Sequence, residues 1–404
     1  MDKSKIDRIL RIVCIVLMVV CLLASGFVYY QLYEFRQIMS THSDNRGEYE
    51  NIIELMEEIE YIYNKNYIGE TPSREQLEDM ALLGFTAGYA DKYGAYLSPT
   101  DSQKMFDKRQ EKLVGIGVEV VYEEGAGYYI SKVYENSPAQ QSGIEPGTYL
   151  TSADGTEVTD ENMGSFINLV RGEAGTTVKV GITSDNGVEY KDITRQDVRT
   201  TSVIDTMIGD IPYLHIGSFT AYTDEEFIKT VDKYLNNGHK EFIVDLRNNT
   251  GGAADSVIRI LDYILPRGLI VEFRGPEVEQ TYISDVNSID AKFAVLVNGN
   301  TASASELFSK VLQEQGYATI IGETTYGKGT VLSTYSLSNG GSLTLSTAKY
   351  YTDSNEDIEG VGVKPDIEVE LPIEDQIILY KLPYQDDEQL QTAVEVVKNW
   401  QENK

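Results

Sequence analysis

From about Arg199 onward the chain alternates short apolar β runs with amphipathic helical stretches, and no other feature narrows its fold as much. Residues 213–216, 242–245, 293–297 and 319–322 read as strands, and 224–236, 254–265 and 303–315 read as helices between them. Strands separated by helix-length segments pair in parallel through helical crossovers, so this part is expected to be an α/β core. An amphipathic helix over 387–400 closes the chain.

Upstream the pattern changes. From Val114, β runs at 118–122 and 128–133 are punctuated by Ser137-Pro138, Gly143, Pro146-Gly147 and Asp154-Gly155. A helical piece follows at 162–170, then strands at 177–182 and 189–193. This reads as a small β-barrel with one or two helices. Further upstream, Ile52, Ile53, Leu55, Met56, Ile59 and Ile62 recur at helical spacing with glutamates between them, and a second helix is expected from Glu75 to about Ala90. A helical cap or linker is expected there, with a surface that would suit a homodimer.

The first segment differs again. Nineteen residues from Ile12 to Tyr30 carry no charge, about 28 Å of helix at 1.5 Å per residue. Lys3, Lys5, Arg8 and Arg11 precede the run. That asymmetry predicts a single-pass anchor in a cell membrane, with residues 1–11 cytoplasmic and the rest extracytoplasmic. No Ala-x-Ala site argues for cleavage. Both cysteines, Cys14 and Cys21, lie inside this run, so disulfides, a cysteine zinc site and a cysteine nucleophile are excluded from the remainder. A net charge of −30, from 34 basic and 64 acidic residues, repels phosphate backbones and argues against nucleic-acid binding.

Four stretches carry the chemistry. Gly115-Ile116-Gly117-Val118, with Pro146-Gly147 and Asp154-Gly155 behind it, resembles the carboxylate-binding loop of a PDZ domain, in which loop N–H groups cradle a peptide terminus and a strand edge pairs with its backbone. The other three are Asp245-Leu246-Arg247-Asn248-Asn249-Thr250-Gly251-Gly252, Asn300-Thr301-Ala302-Ser303-Ala304-Ser305-Glu306 and Gly322-Glu323-Thr324-Thr325-Tyr326-Gly327-Lys328-Gly329-Thr330. Together they resemble the carboxy-terminal processing peptidases, or tail-specific proteases, over about residues 50–375.

The resemblance implies a serine endopeptidase without metal or other cofactor. Ser303 matches its nucleophile and Lys328 its general base. Gly251, Gly252 and Ala304 match the oxyanion donors, and Gly115 to Val118 the PDZ peptide site. The chemistry is coherent, since a buried lysine whose pKa is lowered can activate a serine hydroxyl. Ser305 is the competing nucleophile, read instead as a helix-entry residue. Four positions after the lysine, where the family carries an orienting Gln, this chain has Leu332. A peptide-binding PDZ scaffold on a degenerate protease core is therefore the competing reading.

Two further patterns are set aside. Gly322 to Lys328 nearly spells a phosphate-binding loop, but Gly329 stands where Mg²⁺ binding needs Ser or Thr, and a strand follows where a helix is required. His215 lies in an alternating strand, with no Gly-x-Ser-x-Gly elbow anywhere to pair with it. The expected order is thus an anchor at 12–30, helices over 47–112, a PDZ domain at 113–198, the α/β protease core at 199–372 and a helical tail at 373–404, acting on protein or peptide substrates with accessible C-termini.

Overall fold

The computed structural model describes residues 46–109, 112–184, 187–199, 201–285 and 288–402. It divides into two compact units, one ending at Glu78 and one running from Asp79. In the first, α1 (Arg46–Asn66) presents Ile52, Leu55, Met56, Ile59 and Ile62, all substantially exposed.

The expected membrane-spanning helix needs correction. Among the described residues no helix is long and apolar enough to cross a membrane. α1 has the length, at 21 residues, but Glu50, Glu54, Glu57, Glu58 and Glu60 make it far too polar for a bilayer core. Residues 12–30, where the sequence places the anchor, lie outside the described residues.

After α2 (Arg74–Ala87), the elements β1 (Ala95–Leu97), α3 (Pro99–Arg109) and β2 (Lys112–Gly115) lead into a small antiparallel domain. It contains β3 (Val118–Glu123), β4 (Gly127–Val133), α4 (Pro138–Gln141), β5 (Tyr149–Ala153), β6 (Thr156–Glu157), α5 (Met163–Val170), β7 (Thr177–Ser184) and β8 (Gly187–Thr194), and β9 (Gln196–Arg199) follows. The sheet runs β3-β4-β5-β7-β8, with β6 on β5, which leaves β3 at an edge. β2 pairs antiparallel with β9, so the chain enters and leaves this domain side by side. Val178, Val180 and Ile182, at the two-residue period of a strand, close over Phe166 and Val170 of α5 and over Ile116, Ile130 and Leu150.

The second sheet is built from β10 (Val203–Ile208), β11 (Ile211–Ile216), β12 (Glu241–Asp245), β15 (Lys292–Val297), β16 (Ala318–Gly322) and β19 (Ile367–Glu368), in that order. All pairs from β11 onward are parallel, and only β10–β11 is antiparallel. The helices α6 (Thr223–Asn236), α7 (Ala254–Ile264) and α8 (Ala304–Glu314) contribute to the core over one face. On the other face Ile243, Ala294, Leu296 and Ile321 meet Ala393, Val394 and Val397 of the last helix, α10 (Glu388–Glu402); the short α9 (Ile373–Ile377) precedes it. Burial on both faces explains why these strands read as unbroken apolar runs. A further antiparallel sheet joins β1, β13 (Gly268–Arg274), β14 (Glu279–Ser284), β17 (Thr330–Ser336) and β18 (Ser342–Tyr351). The chain just before α10 also touches the β3–β4 hairpin. Glu123 accepts hydrogen bonds from Lys381 Nζ at 2.5 Å and from the Tyr380 hydroxyl, and the rings of Tyr129 and Tyr380 lie 5.4 Å apart.

Candidate active site

The loops that leave β12, β15 and β16 start from neighbouring parallel strands, so the segments 246–253, 298–303 and 323–329 gather at their carboxyl ends. That edge is the usual ligand crevice of an open α/β sheet. Buried Asn249 braces the first two loops. It donates to Ile216 O at 2.8 Å, and its own carbonyl accepts from Ala302 N at 3.0 Å. Thr301 Oγ1 adds a bond to Leu246 O at 2.8 Å.

Ser303 occupies the N-cap position of α8, but not with the extended backbone of an ordinary cap. Its φ is 58° and its ψ −119°, a region that costs an L-residue ~1–3 kcal/mol. Such strain at a strand-to-helix turn is the device that lifts a serine hydroxyl out of a sheet for attack. Gly251 makes the turn possible. With φ at +99°, a Cβ there would stand 2.7 Å from Ala302 O and 2.9 Å from both Ala304 N and Ser303 Cβ. At Gly252 (φ +137°) a Cβ would meet Phe219 O at 1.9 Å. Gly251 N itself donates to Asn249 Oδ1 at 2.9 Å.

Glu306 ties the Ser303 turn to the lysine loop. Its carboxylate is fully buried and accepts four hydrogen bonds. Oε2 takes Ser303 N at 2.7 Å and Lys328 N at 2.8 Å; Oε1 takes Thr325 Oγ1 at 2.5 Å and Gly327 N at 2.7 Å. The main chains of Ser303 and Lys328 are therefore held to one oxygen. Burial pushes the Lys328 amine below the ordinary lysine value; Glu359 and Glu306 oppose the shift and Lys92 adds to it. The sequence motif contains Glu306, but its role was not assigned from sequence. The Ser-x-x-Glu spacing of a capping box is the signal that points to it.

Ser305 is fully buried in the first turn of α8, and its hydroxyl has no hydrogen-bond partner among the described residues. A group so enclosed cannot meet a substrate. His215 pairs in register with Asp245 on the neighbouring strand. The strand β17 follows Gly329, so Lys328 does not open a phosphate-binding helix. In the small domain, Ile116 is a core residue and Gly115 ends β2. Gly117 turns with φ at +83° against Ser137, and Val118 begins the edge strand β3.

The comparisons agree with this layout. The model of peptidase family S41 matches residues 210–369, and that of a PDZ domain matches 129–183. The carboxy-terminal-processing protease of Bartonella bacilliformis is 32% identical over 318 residues, covering 75% of this chain and 71% of that protein. The carboxy-terminal processing protease CtpA of Bacillus subtilis is 30% identical over 320 residues, covering 77% and 67%. A solved structure of a protein of Bacteroides fragilis assigned to family S41 shares the fold at 16% identity, with a TM-score of 0.55 over 84% of this chain and 94% of that one. The chain belongs to the carboxy-terminal processing protease family: it is a serine-type peptidase carrying a PDZ domain.

Proposed function

We propose that Ser303 and Lys328 form the catalytic dyad of an endopeptidase that selects substrates by their C-terminal tails. The observation that carries this reading is the Glu306 carboxylate, which holds the backbones of both residues on one oxygen. In the reaction, neutral Lys328 Nζ takes the Ser303 proton as Oγ attacks the scissile carbonyl. The oxyanion forms beside the Ala304 and Gly252 amides at the N-terminus of α8; Gly251, whose own N–H binds Asn249, shapes the turn. The lysine then protonates the departing amine. Water, deprotonated by the same lysine, releases the acyl group and restores the serine.

The edge position of β3 supports peptide capture by strand addition. Gly115 to Val118 would present loop amides to the terminal carboxylate. A tailed peptide with a free C-terminus should be cut, and Ser303→Ala and Lys328→Ala should each abolish cutting while circular dichroism stays native. Mass spectrometry with a serine-directed covalent probe should place the adduct on Ser303. An adduct on Ser305, or turnover by Lys328→Ala at the wild-type rate, would overturn the assignment.

A further inference from the structure

The Lys328 amine rests on an aromatic face. Its Nζ lies 4.6 Å from the centroid of the Tyr93 ring, a cation–π distance. Tyr93 belongs to the turn before β1, which is pinned to the β17–β18 hairpin. Asp91 Oδ1 accepts from Tyr93 N at 3.1 Å and from Ser346 Oγ at 2.7 Å, while Oδ2 accepts from Ser346 N at 2.8 Å. At its far end the Tyr93 hydroxyl donates to Glu359 Oε1 at 2.9 Å. The second oxygen of Glu359 takes Gly329 N at 3.0 Å and Thr330 Oγ1 at 2.8 Å, the two residues after the lysine. The ring is thus fixed at both ends, and the carboxylate that fixes it also holds the lysine loop.

The register explains why a ring is needed there. Val331, which packs on the core, pairs with Ala348; the register then shifts by one residue of β18, and Leu332 pairs with Ser346. Cross-strand partners share a face. Leu332 therefore lies on the side of the hairpin to which Asp91 is bound, and a leucine offers an amine no hydrogen bond. We propose that Tyr93 is the positioning residue of Lys328, its ring face holding the ε-ammonium that forms when the base takes the Ser303 proton, a place position 332 cannot supply. The inference rests on the Ser303–Lys328 reading. A second ammonium, that of Lys92, lies 4.8 Å from the same centroid and 3.9 Å from Glu359 Oε1. It competes for the ring and repels charge on Lys328. Glu359 and Glu306 are the carboxylates that act in the opposite sense.

The test is the pH profile of kcat and kcat/KM on a quenched peptide for the full chain and for Tyr93→Phe, Tyr93→Leu and Lys92→Gln, with Lys328→Ala as control. Tyr93→Phe keeps the ring and should keep most of kcat and the wild-type acid limb. Tyr93→Leu should lose about tenfold or more in kcat with KM little changed. Its limb should move down by about half to one pH unit, because the ammonium loses its ring. Lys92→Gln should move the limb the other way, and 1 M salt should erase that movement. A Tyr93→Leu profile matching wild type, or Tyr93→Phe as impaired as Tyr93→Leu, overturns the proposal and leaves the dyad standing. Lys328→Ala active at the wild-type rate overturns both. If Tyr93→Leu does not fold, the surface change Lys92→Gln still decides the sign, and a downward shift sinks the idea.

Discussion

Arg247 binds Asp387 across 140 positions of sequence, Nη1 to Oδ1 at 2.9 Å, with both side chains only 4% exposed. The rest of the guanidinium is taken by Asp245, through Nε at 3.0 Å and Nη2 at 2.6 Å. Burial pushes the Asp245 carboxyl up, and the Arg247 charge more than offsets it. The group joins the start of the loop that ends in Gly251-Gly252 to the residue just before α10. Asp387→Ala leaves half of a buried guanidinium without its counter-charge, at a cost of about 3–5 kcal/mol. Urea unfolding should show that loss. A change below about 1 kcal/mol would mean the ion group is dispensable.

Glu306→Gln keeps the shape of the buried side chain but replaces one acceptor oxygen with an amide that cannot receive the hydrogen bonds it held. Losing charge-assisted bonds to Ser303 N and Lys328 N should misplace both members of the proposed dyad. A loss of about 3 kcal/mol, or roughly 100-fold in kcat/KM, is expected. Steady-state kinetics on a protein with native circular dichroism would measure it, and near-normal turnover would refute the linking role.

The parallel sheet was legible because its strands, buried on both faces, are short apolar runs set between amphipathic helices. Phe242-Ile243-Val244 and residues 293–297 are examples. The antiparallel sheet of β13, β14 and β18 was not. There one face is wet, and strands such as Glu279–Ser284 carry few apolar residues to mark a period. Within the candidate site, the segments that carry Ser303 and Lys328 are marked by local motifs, and the structure brings both to the bonds of Glu306. Tyr93 and Glu359 are not so marked, because their hydrogen bond spans 266 positions and neither sits in a pattern that spacing could flag. Buried, unpartnered Ser305 was read correctly as a helix-entry residue; Ser305→Ala should be neutral or slightly stabilising, since it removes an unsatisfied hydroxyl.

The pH dependence follows from the sign of the lysine shift. Burial lowers the Lys328 pKa, so the neutral base appears at lower pH than in a solvated lysine. kcat/KM should therefore climb with pH and reach half its maximum below the ordinary lysine value of about 10.4. Because Glu359 favours the ammonium, Glu359→Gln should move the midpoint lower still. A midpoint at or above 10.4 would exclude Lys328 as a base tuned by burial.

If the small domain captures peptides at the proposed loop, Gly117 should be essential to it. Its φ of +83° favours glycine, and a Cβ would stand 2.3 Å from Ser137 Cβ. Gly117→Ala should distort the loop by ~1–3 kcal/mol of overpacking and weaken binding of a labelled C-terminal peptide about tenfold or more. Fluorescence anisotropy would report it. Unchanged affinity would place the carboxylate elsewhere.

The relation between Tyr93 and Leu332 can be measured directly. Leu332 pairs with Ser346, which binds the Asp91 turn that carries Tyr93, and the Lys328 Nζ stands over the Tyr93 ring. Leu332→Gln alone should then change kcat by less than about threefold, because its amide adds a hydrogen bond to a base that is already placed. In the Tyr93→Leu background the same substitution should matter more. There the amine has lost its ring, and one orienting hydrogen bond of about 1–2 kcal/mol should restore roughly five- to thirtyfold in kcat. The two substitutions form a double-mutant cycle whose coupling should exceed about 1 kcal/mol. Additive effects would show that position 332 and the ring act on different groups. A large gain from Leu332→Gln in the otherwise natural protein would show that the lysine is poorly held to begin with.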